Sequence, residues 1–238
     1  GNLKLRAKEF SQAQDQFNAA LAIEPASKDP RRALAFSYIQ DQRRDLAENV
    51  YKELVTSDLQ DLGQRIVLAD FYLSGEDYAQ AIEVLQKALQ DNPEYIVAKK
   101  RLAGVFLTQN RFEDAVRVAD EVLKTDADDV EGLLIRGRTL LAQTNPTEAL
   151  ADLQKGATAR PGFVLGRYFL GVAYSQLGEF AKAENEFTAA IQNDPTFWQA
   201  YIPLAELKLS AGLTDAALRY ARQALTDASF SQAHLVLS

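Results

Sequence analysis

The amino-acid sequence predicts an all-α protein, an α-solenoid of stacked antiparallel helix pairs with about seven units of 34 residues. The first observation behind this is an alanine that recurs every 34 residues without insertion or deletion: Ala13, Ala47, Ala81, Ala115, Ala149, Ala183 and Ala217. The second is that large apolar residues recur around it at the three- and four-residue spacing of a helix face. One unit cannot bury such a face alone, so neighbouring units must stack into a continuous core.

The first helix of each unit, helix A, is predicted from a small residue beside large ones. With the recurrent alanine taken as position 20 of 34, positions 4, 7, 8 and 11 share one helix face. Position 8 is always small: Gly1, Ala35, Ala69, Ala103, Gly137, Gly171 and Ala205. Small residues at positions 8 and 20 let two helix axes approach closely, while larger neighbours fill the gaps. Helix A is therefore expected over residues 29–41, 63–74, 96–108, 130–142, 164–176 and 197–210.

The second helix, helix B, carries its apolar face at positions 17, 20, 24 and 27. Four units then place a proline at position 32, namely Pro25, Pro93, Pro161 and Pro195. Proline ends helix B because it has no backbone N–H to continue the hydrogen-bond ladder. Helix B is expected over residues 10–22, 45–57, 78–90, 112–124, 146–158, 180–192 and 214–226.

One solenoid domain is expected over residues 1–238. Its repeats are approximately 1–27 (partial), 28–61, 62–95, 96–129, 130–163, 164–197 and 198–231, followed by a partial capping helix, 232–238. Both ends cut through a repeat, so we expect this chain to be a fragment of a longer protein.

Three residues depart from the pattern. Arg136 occupies position 7, where other units carry leucine. Its guanidinium is expected to reach solvent or to meet Asp152 or Glu148, and the alternative is a polar contact to a ligand or an adjoining domain. Pro146 fits the first turn of a helix that begins after Asn145. Pro203, inside the last helix A, should kink that helix or shift its start.

The repeat resembles the tetratricopeptide repeat (TPR) family over essentially the whole chain. Repeat six carries the resemblance most clearly, through Leu170, Gly171, Tyr174, Gly178, Phe180, Ala183, Phe187, Ala190 and Pro195. This implies a right-handed superhelix whose A helices line a concave groove. It also implies a non-catalytic scaffold that binds a peptide or helix of a partner protein in that groove.

The resemblance assigns groove contacts to positions 2, 5, 9, 12 and 13 of helix A. The candidate binding residues are Arg32, Phe36, Ile66, Asp70, Lys100, Leu134, Arg138, Tyr168, Val172, Ile202 and Glu206. The alternative is that superhelical winding buries positions 5 and 12 between adjacent A helices. A clamp for a C-terminal carboxylate is not expected, because Lys100 is followed by Gly104 where such clamps carry asparagine.

The composition of the chain limits which partners and which kinds of site are expected. A net charge of −7 argues against a nucleic-acid partner, and the absence of cysteine excludes disulfides and thiolate metal sites. No apolar stretch approaches the length of a membrane span. We find no catalytic motif and expect no enzyme activity, cofactor or metal. The lone histidine, His234, is interpreted as structural or solvated.

Two other functions remain open beside the scaffold. The array could be the regulatory or substrate-presenting arm of a larger enzyme or envelope polysaccharide assembly system, or it could assemble with copies of itself. The run Leu134–Arg138 loosely resembles bacterial multi-TPR proteins of the cell envelope. That implies a bacterial protein and leaves cytoplasm and periplasm or envelope open.

Overall fold

The computed structural model describes the backbone of residues 9–237 and the side chains of residues 9–225. Over that range the chain forms thirteen α-helices, one 3₁₀ helix and no strand, which confirms the all-α class. The helices are α1 (Phe10–Ile23), α2 (Lys28–Gln40), α3 (Arg44–Ser57), α4 (Leu62–Ser74), α5 (Tyr78–Asp91), α6 (Ile96–Thr108), α7 (Phe112–Thr125), α8 (Val130–Ala142), α9 (Pro146–Ala159), α10 (Val164–Gln176), α11 (Phe180–Asn193), α12 (Tyr201–Ser210) and α13 (Thr214–Leu237). Even-numbered helices are the A helices and odd-numbered helices the B helices. The helix A tail expected in residues 1–7, and the side chain of His234, lie outside the described residues.

The chain divides into two compact units, residues 1–102 and 103–238, with the boundary inside α6. In the first unit each helix from α1 to α5 packs against the next one along the chain. Its core is built around Leu34, Leu54 and Tyr72. In the second unit α7 to α13 pack in the same order, and α8 also contacts α10. Its core contains Leu153, Leu170, Phe187 and Leu204.

The turn between helix A and helix B repeats with the period of the sequence. Its position 15 has a positive φ in six turns, at Gln42, Glu76, Asn110, Thr144, Gly178 and Gly212. In the first of these turns the Arg43 N–H donates to the Tyr38 carbonyl at 2.8 Å, and the Gln42 N–H donates to the Ile39 carbonyl at 3.0 Å. These are the two hydrogen bonds of a Schellman motif, which satisfies the free carbonyls at a helix C-terminus.

In four repeats the junction between helix B and the next helix A contains an Asx turn. The side chains of Asp58, Asn92, Asp126 and Asp194 each accept a hydrogen bond from the backbone N–H two residues later. Such a bond competes with helix continuation. Helix B therefore ends at position 30 even where proline is absent from position 32, as after α3 and α7.

The last helix is a correction to the sequence interpretation. α13 continues to Leu237, so the predicted end of that helix B at residue 226 is wrong. Ala228 and Ser229 stand at positions 31 and 32, where they provide neither an Asx turn nor a proline. The extent of the solenoid domain and the capping role of residues 232–238 remain predictions.

The start of the last helix A also differs from the other repeats. Five A helices begin at position 1, whereas in repeat seven Trp198–Ala200 form a 3₁₀ helix and α12 begins at Tyr201. Pro203 is the third residue of α12, where a backbone N–H has no partner within the helix. Of the two effects expected of Pro203, the shifted start is the one observed.

Arg136 finds the carboxylate expected from the sequence, and a second one. Its guanidinium donates to both Asp152 oxygens, from Nε at 2.6 Å and from a terminal nitrogen at 2.7 Å. It also donates to Asp120 at 2.6 Å. The hydrogen bonds to Asp152, and then those to Asp120, outweigh burial and raise the pKa of Arg136, so the guanidinium stays charged.

Asp61, the N-cap of α4, links repeats two and three within the first unit. Its carboxylate accepts hydrogen bonds from Lys28 Nζ at 2.7 Å, Gln64 Nε2 at 2.7 Å and the Gly63 N–H at 3.0 Å. The bond from Lys28, followed by that from Gln64, lowers the pKa of Asp61 to about 2. In the unfolded chain this carboxyl titrates near pH ~4.

Because the folded-state pKa is the lower one, the stabilisation by Asp61 is present above about pH 4 and is lost as the pH falls through about 2. We expect Asp61→Asn to lower the thermal midpoint at pH 5 and to match the parent protein near pH 2. Circular dichroism melts at half-unit steps from pH 5 to pH 2 would measure the difference. Asp29→Asn is the control, since the Asp29 side chain is 95% exposed, and a constant difference between parent and Asp61→Asn would contradict the assignment.

Candidate functional site

A cavity of about 690 Å³ lies between α10 and α12 in the second unit. Most of its walls are apolar or aromatic. The lining residues are Tyr168, Val172, Ser175, Gln176, Phe180, Phe187, Trp198, Gln199, Ile202, Pro203, Glu206, Leu207 and Ser210. A cavity of this size and composition is typical of sites that take a ligand group.

The repeat places equivalent residues of two A helices around this cavity. Tyr168 on α10 and Ile202 on α12 are both at position 5, and Val172 and Glu206 are both at position 9. Positions 5 and 9 are one helical turn apart, so they share a face. Four of the eleven candidate residues are therefore brought together here.

Tyr168 forms an aromatic wall of the cavity. Its ring centroid is 5.7 Å from that of Phe187 and 5.5 Å from that of Phe197, and it meets Phe169 edge-on at 5.0 Å. Such contacts hold the ring in one orientation. Burial, and secondarily the charge of Glu206, raises the pKa of Tyr168, so the phenol is neutral at physiological pH.

Glu206 is the one charged residue among those that line the cavity. It forms no ion pair within the part of the chain that the structure describes. Its neighbour on α12, Lys208, instead pairs with Glu184 on α11 at 2.5 Å. The cavity thus combines apolar walls with one unpaired carboxylate.

The late start of α12 accompanies the opening of this cavity. In the other described A helices, the residue at position 1 is the first α-helical residue. In repeat seven this residue is Trp198, which lies in the 3₁₀ segment and lines the cavity. Phe180 begins α11 and leaves 57% of its surface exposed. Large aromatic surfaces exposed together on one protein are uncommon unless something covers them.

The other two candidates in the second unit are engaged within the protein. Arg138 lies over the Phe169 ring with its guanidinium carbon 4.7 Å from the centroid, and burial lowers its pKa. Leu134 is buried in the core of this unit. Neither has much surface left for a partner.

The five candidates of the first unit do not form one site. Phe36 and Arg32 are exposed, and Arg32 lies 3.8 Å from Asp29. Asp70 accepts hydrogen bonds from Arg101, the shorter at 2.8 Å. Ile66 is buried and Lys100 is partly buried. These placements do not test the groove assignment, which remains a prediction.

Some lining residues were not among the sequence candidates. Phe180 is at position 17, on the apolar face of helix B, and Trp198 is at position 1 of the last repeat. Ser175, Gln176, Gln199 and Ser210 add polar groups to the cavity. Ser175 is at position 12, and Gln176 and Ser210 are at position 13. Both positions belong to the predicted groove, so the repeat position was the sequence signal that could have identified these residues.

The described residues contain no cluster of three or more His, Cys, Asp and Glu side chains able to hold a metal ion. Among the same residues no helix combines the length and apolar character needed to cross a bilayer.

These helix pairs define a helical-repeat protein, and sequence comparison gives the family. Three family models, each described as a tetratricopeptide repeat, match residues 32–96, 72–136 and 164–197, which together exceed half of the chain. The chain belongs to the tetratricopeptide repeat family. Such proteins are typically non-catalytic scaffolds.

Solved structures of other proteins share this fold. Two solved structures are similar: a tetratricopeptide repeat protein from Parabacteroides merdae (TM-score 0.73, 15% identity, 94% of this chain and 88% of that one) and the APC/C hetero-tetramer Cut9–Hcn1 (TM-score 0.74, 14% identity, 93% and 44%). A curated relative from Hordeum vulgare, the probable UDP-N-acetylglucosamine–peptide N-acetylglucosaminyltransferase SPINDLY, is 26% identical over 142 residues. That match covers 56% of this chain and 15% of the relative.

Proposed function

We propose that this protein is a non-catalytic scaffold that binds a segment of a partner protein on its A helices, anchored in the cavity between α10 and α12. The observation that carries the proposal is the convergence of Tyr168, Val172, Ile202 and Glu206 on that cavity. A bound segment would bury the exposed parts of Ile202, Phe180 and Trp198. Apolar burial of this kind is the main favourable contribution to protein association.

The aromatic walls suit the proposed role because their contacts already hold Tyr168 in place. A partner side chain that enters the cavity then does not have to order the wall, which limits the entropic cost of binding. Clusters of aromatic and aliphatic side chains in a pocket are where binding energy concentrates at protein interfaces.

A second candidate function rests on the similarity to the Hordeum vulgare transferase. In this alternative the repeats present substrates to a catalytic domain elsewhere in a longer protein. The match with 15% of that relative is the observation that favours it. Transfer of N-acetylglucosamine from its UDP donor by the natural full-length protein would support the alternative, and a full-length protein without that activity would remove it.

The test of the primary proposal uses a random dodecapeptide display library selected against the folded chain. We expect enriched peptides to bind Ile202→Ser at least about threefold more weakly, because full burial of an isoleucine side chain contributes about 1.5–3 kcal/mol and 43% of Ile202 is exposed before binding. Dissociation constants would be measured by fluorescence anisotropy, with circular dichroism to verify the fold of each variant.

Leu218→Ser is the matched control. Leu218 on α13 is 50% exposed, close to the 43% of Ile202, but it does not line the cavity. Enriched peptides should therefore bind Leu218→Ser as well as the parent. A selection that yields only peptides indifferent to Ile202→Ser would count against the cavity as the binding site.

A further inference from the structure

We infer that the segment bound in the α10–α12 cavity carries a lysine or arginine next to the large apolar side chain that fills it, and that Glu206 selects for this cation. The inference rests on the proposed function and adds the chemistry of the partner. The occupant is a short basic and apolar protein segment.

The charge balance of the cavity favours a basic partner segment. Glu206 is the one charge on its lining. Three basic side chains of this unit have other partners: Lys208 pairs with Glu184, Lys182 pairs with Glu179, and Arg138 lies over Phe169. Glu206 forms no ion pair with any residue whose side chain the structure describes, and a partner could supply a cation by a charge-assisted hydrogen bond.

The geometry of α12 places the Glu206 carboxylate within reach of a segment anchored at Ile202. Ile202 and Glu206 are four residues apart, so the apolar wall and the carboxylate lie on the same helix face, about 5–6 Å apart at their Cβ atoms. Consecutive Cα atoms of a bound segment are separated by about 3.8 Å. A residue next to the apolar side chain in the cavity would thus reach the carboxylate.

The surroundings of the Glu206 carboxylate also favour a cation over an anion. Burial raises the pKa of the Tyr168 phenol, and the negative charge of Glu206 raises it further. The faces of Tyr168 and Trp198 also attract a cation and give no advantage to an anion. With the chain at a net charge of −7, an acidic segment would be repelled both locally and overall.

The experiment starts from the peptides enriched by the library selection. We expect lysine or arginine beside the apolar anchor in most peptides that depend on Ile202. For the tightest of these peptides, replacing the basic residue with glutamine should weaken binding about three- to tenfold, and replacing it with glutamate should weaken it further. Raising NaCl from 50 to 500 mM should reduce the difference between the lysine and glutamine peptides.

The protein variants complete the test. Glu206→Gln should remove the preference for lysine over glutamine while the dependence on the apolar anchor persists, and Glu206→Lys should favour the glutamate peptide. Glu113→Gln is the control, because Glu113 is an exposed carboxylate on α7 outside the cavity. This variant should leave every affinity unchanged.

The outcomes separate the two proposals. Cavity-dependent peptides without a basic neighbour, or a lysine preference that survives Glu206→Gln, would overturn the role of Glu206 and leave the scaffold function standing. Failure to recover any peptide that depends on Ile202 would overturn the proposed function itself.

Discussion

Replacing Phe187 with alanine is expected to lower the free energy of unfolding by about 3–5 kcal/mol, the usual cost of deleting a buried aromatic side chain. Phe187 on α11 has 0% of its surface exposed. Gly171 on α10 lies against it so closely that a Cβ there would be 2.7 Å from the Phe187 ring. Since Gly171 offers no side chain to move, little nearby could fill the space that the ring leaves.

Urea denaturation followed by circular dichroism would measure this loss. Phe180→Ala is the control, because it removes the same side chain from the same helix at a position that is 57% exposed. We expect a change below about 1 kcal/mol for the control. Equal losses in the two variants would show that the ring of Phe187 is not part of a close-packed core.

Replacing Arg136 with leucine is expected to lower the free energy of unfolding by about 2–4 kcal/mol, even though leucine is the usual residue at this position. The reason is Asp152, whose side chain is 9% exposed and would lose its cation while it remains buried. A buried charge left without its partner is strongly destabilising.

The double variant Arg136→Leu, Asp152→Val is expected to be at least as stable as the parent. Repeats two, three and four carry leucine and valine at these two positions, as the pairs Leu34 with Val50, Leu68 with Val84, and Leu102 with Val118. Asp120 would lose a partner as well, but it is 40% exposed and can be hydrated. Replacing a buried ion pair with apolar residues is often neutral or stabilising.

A double-mutant cycle measured by urea denaturation would give the coupling energy between Arg136 and Asp152. Single variants whose losses add up in the double variant would mean that the two side chains contribute independently. That result would contradict the ion pair as the reason for both substitutions.

Most helix boundaries were predictable because the signals for them are local. Small residues, helix-spaced apolar positions and turn residues placed α1 to α11 within one residue of their observed ends, whereas α12 begins four residues later than expected. The C-terminal end of α13 was predicted wrongly because it was inferred from the repeat period alone. Ala228 and Ser229 stand where the other repeats carry the Asx residue or the proline that ends helix B. Of the alternatives expected for Arg136, the contact with Asp152 is the one observed, because a partly buried guanidinium is stabilised by a carboxylate within reach.

The site was less predictable, as Ile66 and Ile202 illustrate. Both are isoleucines at position 5 of helix A, yet Ile66 is buried and Ile202 is exposed in the cavity. Exposure at this position depends on how neighbouring helices approach, and the repeat pattern does not encode that distance. Helix A of repeat seven is preceded by a 3₁₀ segment, and only Pro203 hinted at that in the sequence.

The left-handed residue between paired helices also has an evolutionary consequence. Its recurrence at Gln42, Glu76, Asn110, Thr144, Gly178 and Gly212 means that the backbone passes through the same conformation at six equivalent points. Recombination between any two of these points would delete or duplicate whole 34-residue modules and rejoin the chain in a conformation that both partners already adopt. Because such modules interact mainly with their neighbours, a gene of this kind can grow or shorten while its remaining hairpins keep their internal packing.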